Sequence, residues 1–192
     1  MGLVLTSGPL LEPVSLAEAK AHLRIDTDDE DIFLASLVTT SRLHVEVVLS
    51  AALITQTWTL VRDAWPQGRI LTLPLRPLRG VTSISVRDST GLLHQAPLSE
   101  FIVDTTAVVP RIVRKLGTSW PAPGLPANGI EIVFTAGYGD TAGDVPAPIR
   151  QALLLLVAHW YEHRDPSEVG SEAARVPSMI TELLAPYTTR QL

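Results

Sequence analysis

The sequence predicts an α+β fold: a helical bundle, an antiparallel β subdomain inserted into it, and a short helix at the C-terminal end. Three observations predict it. Apolar residues recur at helical spacing before residue 53 and again after residue 145. Between those points the apolar pattern alternates in short runs rich in β-branched side chains, which marks strands. Prolines such as Pro74, Pro77, Pro110, Pro121, Pro123 and Pro126 punctuate those runs with no helix between them, as in an antiparallel sheet with exposed loops. The expected divisions are residues 1–52 for the N-terminal helical part, 53–145 for the β insertion, 146–175 for a long bundle helix and flexible hinge, and 176–192 for a terminal segment.

Leu3 to Pro13 is an extended lead-in bounded by prolines. Ser15 then caps a helix reaching about Arg24, with Glu18 three residues on completing a capping box. The acids Asp26, Asp28, Asp29, Glu30 and Asp31 resemble a calcium loop only in composition. A sixth-position Asp31 and a twelfth-position Leu37 replace the glycine and glutamate such a loop requires. The acids are better placed at the positive end of the next helix, about Asp28 to Ser50. Its expected inward stripe is Phe33, Leu34, Leu37, Ser41, His44 and Val48, with Asp31, Arg42 and Glu46 on the wet face.

Strands are expected at Ile54–Val61, Ile70–Leu73, Val81–Arg87, Phe101–Val103, Arg111–Lys115 and Ile130–Ala136. The turn Asp88-Ser89-Thr90-Gly91 folds the third of these back on residues 92–95. Gly137-Tyr138-Gly139-Asp140-Thr141-Ala142 fits the dinucleotide pattern G-x-G-x-x-A, but Pro146 and Pro148 delay the helix and no βαβ unit surrounds it. It reads as a tight loop.

Val145 to Asp165 is a helix apolar on most sides. Ile149, Ala152, Leu153, Leu156 and Trp160 form one stripe, with His163 at its edge; Leu154 and Tyr161 cover a flank; Arg150, Gln151, Ala158 and Glu162 leave a narrow polar strip. Such a helix needs neighbours on nearly every side, which suits the subunit of an obligate ring, with Leu154, Trp160, Tyr161 and His163 at the subunit interface. After Arg164–Arg175 comes a helix from Pro177 to Ala185, with Val176, Met179, Ile180, Leu183, Leu184 and Tyr187 on its apolar side. It either docks on a partner or folds back on its own core.

Composition narrows the function classes. There are no cysteines, so disulfides and thiolate metal sites are excluded. Residues 1–52 hold three basic and eight acidic side chains, a balance of −5; residues 53–145 balance at +1 and residues 146–192 at −1. With no basic cluster, tight nucleic-acid binding is not expected. Neither a secretory signal nor a membrane span of about 20 apolar residues is expected. His159, Glu162 and His163 spell H-x-x-E-H, the inverted zinc-peptidase pattern, and two histidines four apart share a helix face. The pattern lacks a well-placed third ligand: Asp165, Glu168 and Glu172 lie in the adjoining loop, and Glu182 is the remaining acid downstream. A zinc metallopeptidase is therefore the alternative reading, and the expectation is a non-enzymatic protein without metal or cofactor.

The chain resembles the head–tail connector (adaptor) family of tailed phages and gene transfer agents. The matching pieces are Val14-Ser15-Leu16-Ala17-Glu18-Ala19-Lys20 with His22-Leu23-Arg24, the acidic start Asp28-Asp29-Glu30-Asp31, and Gln56-Thr57-Trp58 with Trp65-Pro66. They continue through Leu73-Pro74-Leu75-Arg76-Pro77-Leu78, Ala136-Gly137-Tyr138-Gly139-Asp140 and Trp160-Tyr161-Glu162-His163-Arg164, spanning nearly all of residues 13–190. The resemblance implies a structural protein of the particle neck, made in the bacterial cytoplasm. It implies a homo-oligomeric ring, typically of twelve copies, beneath the portal protein. That ring would extend the channel through which DNA passes without sequence-specific binding and would present a platform for a stopper or tail protein. The helices would form the ring wall. The C-terminal segment would reach the portal through Met179, Ile180, Leu183, Leu184 and Tyr187. The resemblance brings no catalytic residues.

Overall fold

The structure is a computed structural model that describes residues 1–163 and 177–188. Among these are four α-helices and two antiparallel sheets, a mixed α+β architecture. The chain divides into two compact units, a β unit of Met1–Pro9 with Thr55–Tyr138 and a helical unit of Leu10–Ile54 with Gly139–Leu192.

In the β unit, β1 (Gly2–Ser7), β2 (Gln56–Arg62), β8 (Ile130–Ala136), β4 (Leu78–Arg87) and β5 (Leu93–Gln95) lie in that order across a five-stranded sheet. The central strand β8 alternates in burial, with Ile130, Ile132, Phe134 and Ala136 on the buried face. Register sets Leu60 and Ile84 on either side of Ile132, so three fully buried aliphatic side chains form one row across β2, β8 and β4. Strands β3 (Ile70–Thr72), β7 (Arg111–Arg114) and β6 (Phe101–Asp104) make the second sheet, where buried Leu71 faces buried Ile112. Trp120 stacks between Trp65, 4.6 Å away, and Phe101, 5.5 Å away. Each indole also donates to a loop carbonyl, Trp65 to Pro121 at 2.6 Å and Trp120 to Gly68 at 2.9 Å, which fastens the proline-rich loop to the sheet.

One segment departs from the sequence reading here. Gly2–Ser7, expected as a lead-in to the helical part, is the edge strand β1, paired antiparallel with β2 and tied to it by a 2.7 Å hydrogen bond between the Thr6 and Thr59 hydroxyls. Its side chains are almost all exposed, so neither face carries the alternation that announces a half-buried strand.

The helical unit comprises α1 (Leu16–Leu23), α2 (Asp31–Leu49), α3 (Ala147–Glu162) and α4 (Ser178–Leu184). Helix α2 packs on α1 and α3, and α3 also packs on α4. Ala19, Val38 and Val157 bring α1, α2 and α3 to one buried cluster, with Leu23 and Leu37 against it. Ser15 caps α1 through the predicted box: its hydroxyl accepts from the Glu18 amide at 3.2 Å, and its own amide donates to the Glu18 carboxylate at 2.8 Å. That amide bond is the main influence holding the Glu18 carboxyl below its ordinary range; burial opposes it, and Arg150 assists. A depressed carboxylate stabilises the fold above its ordinary pKa, and this contribution is lost as pH falls through the lowered folded value. Ser15→Ala is expected to cost about 0.5–2 kcal/mol, read as a lower urea midpoint at neutral pH, and to raise the Glu18 titration only in part in an NMR pH series, because the amide bond remains.

Helix α2 corrects the expected faces. Its buried residues are Leu34, Val38, Ser41, Arg42, Val45, Glu46 and Leu49, whereas Val48, placed inward by the sequence reading, is exposed. Arg42 and Glu46, expected on the wet face, are interior. The Arg42 guanidinium bonds Glu46 at 2.8 Å and Glu12 at 2.7 Å, while Glu46 accepts from the Leu53 amide at 2.9 Å. Burial works against the charge on Arg42, but its two carboxylate partners outweigh it and hold the pKa above the ordinary arginine value. By length and composition alone α2 could cross a membrane. A buried, ion-paired Arg–Glu pair and packing against two other helices identify it instead as a core helix. Asp28, ahead of α2, and Asp31, in its first turn, pair with Lys20 at 2.5 Å and 2.7 Å, and Glu30 at the N-cap position makes no side-chain cap.

Candidate functional site: helix faces of the helical unit

Helix α3 buries Ile149, Ala152, Leu153, Leu156 and Val157. Four of these five belong to the stripe read from the sequence; Trp160 is instead half-buried, meeting the His44 ring edge-on at 5.7 Å. The packing of His44 is thus aromatic. Arg150, on the polar strip, is used internally: its Nε donates to the Pro13 carbonyl at 3.1 Å and its guanidinium pairs with Glu18. Among the residues assigned to a subunit interface, Leu154 is half-buried, Tyr161 bonds the Glu30 carboxylate and lies 6.3 Å from Phe33, and His163 is exposed.

The H-x-x-E-H residues do not converge on a metal geometry. His163 ends α3 and uses Nδ1 as a donor to the His159 carbonyl at 2.8 Å, while Glu162 is exposed. No group of three His, Cys, Asp or Glu side chains placed for a metal occurs among the described residues. Asp165, Glu168 and Glu172 lie outside the described residues, as does the expected hinge 164–175. Partial burial, then the neighbouring His163, push the His159 pKa down, and Glu162 opposes them. His163→Asn is therefore expected to raise the His159 midpoint only part of the way to the ordinary value in an NMR titration, because desolvation is the larger cause.

The G-x-G-x-x-A loop closes on itself. A β-carbon on Gly139 would lie 2.3 Å from the Asp144 side chain, and Asp144 accepts from the Thr141 amide at 2.9 Å and hydroxyl at 2.8 Å. Gly137 holds a φ of 144° that other residues rarely adopt. The glycines serve a tight turn, with a carboxylate where a phosphate would have to approach.

Helix α4 carries the residues assigned to the portal. Ile180 and Leu184 are buried, Leu183 and the following Tyr187 are half-buried, and Met179 is exposed. With α4 packed on α3, its inward side already has an apolar partner within the same unit. Val176 falls outside the described residues. On the other side of α4, Met179 is exposed and Leu183 is half-buried.

Among the described residues, the helical unit thus presents exposed Met179 and half-buried Leu154, Trp160 and Leu183 on the outer sides of α3 and α4. No protein-family model and no curated protein matches the chain. Solved structures do. A chain in the neck of an empty gene transfer agent particle, computed with sixfold symmetry, is 28% identical with a TM-score of 0.85; the match covers 100% of this chain and 97% of that one. A chain in the virion of a native gene transfer agent particle is 27% identical with a TM-score of 0.84, and one in the native neck computed with twelvefold symmetry is 27% identical at 0.80, each with the same coverage. The chain thus has the fold of a particle-neck protein over its whole length, and the resemblance to the head–tail connectors read from the sequence is borne out.

Proposed function

We propose that this protein is a structural head–tail connector of a phage or phage-like particle. Copies close into a ring under the portal, extend the DNA channel and link head to tail. The observation that carries this reading is the full-length likeness to chains in particle necks with sixfold and twelvefold symmetry, since such symmetry is that of a closed ring. A ring of twelve follows the twelvefold neck. The helical unit would supply the ring wall, with Leu154, Trp160, Tyr161 and His163 toward a neighbouring subunit. The C-terminal segment would meet the portal through Met179, Leu183 and Tyr187, with Ile180 and Leu184 holding α4 in place beneath them. A stopper or tail protein would take the opposite side. DNA would pass without sequence-specific contact, in keeping with a net charge of −5.

Particles produced without this chain test the reading. Filled heads and free tails are expected to accumulate unjoined in electron micrographs, and supplying the chain should restore joining. Complete particles formed in its absence would overturn it.

A further inference from the structure

Helix α2 has an outer face that the described residues leave bare. Ile32, Ser36, Thr40, Leu43 and Val47 recur at spacings of four, four, three and four, one stripe of a helix. All five are exposed, Ile32 at 90%, Leu43 at 52% and Val47 at 79%. The stripe holds no charge. Asp31 is paired with Lys20, and Arg42 and Glu46 are turned inward on each other and on Glu12. An ordinary solvent face of a nineteen-residue helix would carry the charges that α2 has buried.

The hydroxyls on the stripe are already satisfied. Ser36 donates to the Phe33 carbonyl at 2.7 Å and Thr40 to the Ser36 carbonyl at 2.7 Å. Both bonds lie within α2, so covering the stripe would leave no orphaned donor. The small Ser36 and Thr40 between Ile32 and Leu43 also leave room for side chains of a facing element.

We infer that this stripe is the apolar centre of the contact between neighbouring copies of this chain, an inference that rests on the ring reading above. Charge selects the occupant. Residues 1–52 balance at −5, so copies set side by side repel unless they meet across an uncharged surface. The α2 stripe provides that surface, and charge-poor centres are characteristic of protein–protein contacts. DNA is not the fitting occupant, because aliphatic side chains gain nothing from phosphates. At about 1.5 Å per residue, α2 presents roughly 28 Å by 10 Å, some 300 Å². A stable interface needs about 800 Å² from each partner, so the stripe supplies its centre and other surfaces its rim. In a closed ring of more than two copies the contact is heterologous, so the next copy meets the stripe with a different patch.

Leu43→Glu and Val47→Glu test this, singly and together, in the full chain. Both side chains are exposed, so the variants should keep the parent's circular dichroism spectrum and a cooperative thermal transition, lowered only by the stabilisation that assembly gives the parent, which separates loss of assembly from loss of fold. Native mass spectrometry should find rings for the parent and single subunits for the double variant, with self-association at least 100-fold weaker; Val47→Ile should keep the ring. Rings from the double variant as abundant as the parent's would overturn the assignment of α2 while leaving the ring reading standing. Intact rings that no longer join heads would also overturn it, and would place the stripe against a head-side protein. A parent chain that never forms rings, alone or on heads, would remove the ring reading itself and this inference with it.

Discussion

Arg42→Ala is expected to be the most destabilising single change in the helical unit, at about 3–5 kcal/mol in a denaturant titration. The guanidinium joins Glu12, ahead of α1, to Glu46 in the last turns of α2, and Glu46 in turn holds the Leu53 amide where the chain leaves the helix. Removing Arg42 leaves two carboxylates close together, one of them buried. The loss arises chiefly from that uncompensated charge, so converting Glu12 and Glu46 to glutamine in the Arg42→Ala background should recover part of it. For a domain stabilised by about 5–15 kcal/mol, the single change puts folding itself at risk. A loss under about 1 kcal/mol would show that solvent already screens the network.

Met179→Asp combined with Leu183→Asp is expected to have the largest effect on assembly. The two lie on the side of α4 not committed to Ile180 and Leu184, so the helix should keep its packing on α3. Placing carboxylates against an apolar partner costs several kcal/mol, which corresponds to a loss of affinity of at least about 100-fold. Joined particles counted by electron microscopy should fall accordingly, with the thermal transition of the purified protein little changed. Ile180→Asp is the informative contrast, because it should lower the thermal transition as well. Unchanged numbers of joined particles for the double variant would exclude this face of α4 from docking.

Strands with strict alternation were legible in the sequence because period two survives without knowledge of the partner: Ile130, Ile132, Phe134 and Ala136 announce the buried face of β8 by themselves. The Ser15–Glu18 box was legible for the same reason, since both partners lie within four residues. Helix α2 was read rightly at Leu34 and Ser41, which are buried, and wrongly at Arg42, Glu46 and Val48. A charge is assigned to water by default, and only the fold brings Glu12 to Arg42 from 30 residues away. The bare stripe Ile32–Val47 was the complement of that error, for once Arg42 and Glu46 turn inward the opposite side must face out. Strand β1 escaped as a paired element because its exposed side chains record nothing of its hydrogen bonds to β2. On α4 the sequence showed an apolar side but not its division, in which Ile180 and Leu184 serve the fold and Met179 remains outside.

Electron microscopy of the purified protein bound to DNA-filled heads bearing their portal tests the central claim most directly. The account predicts density for a closed ring of this chain seated on the portal vertex, with sixfold or twelvefold symmetry and α2 of each copy buried against its neighbour. Single copies scattered over the head surface, or heads that leave the vertex bare at saturating protein, would contradict it.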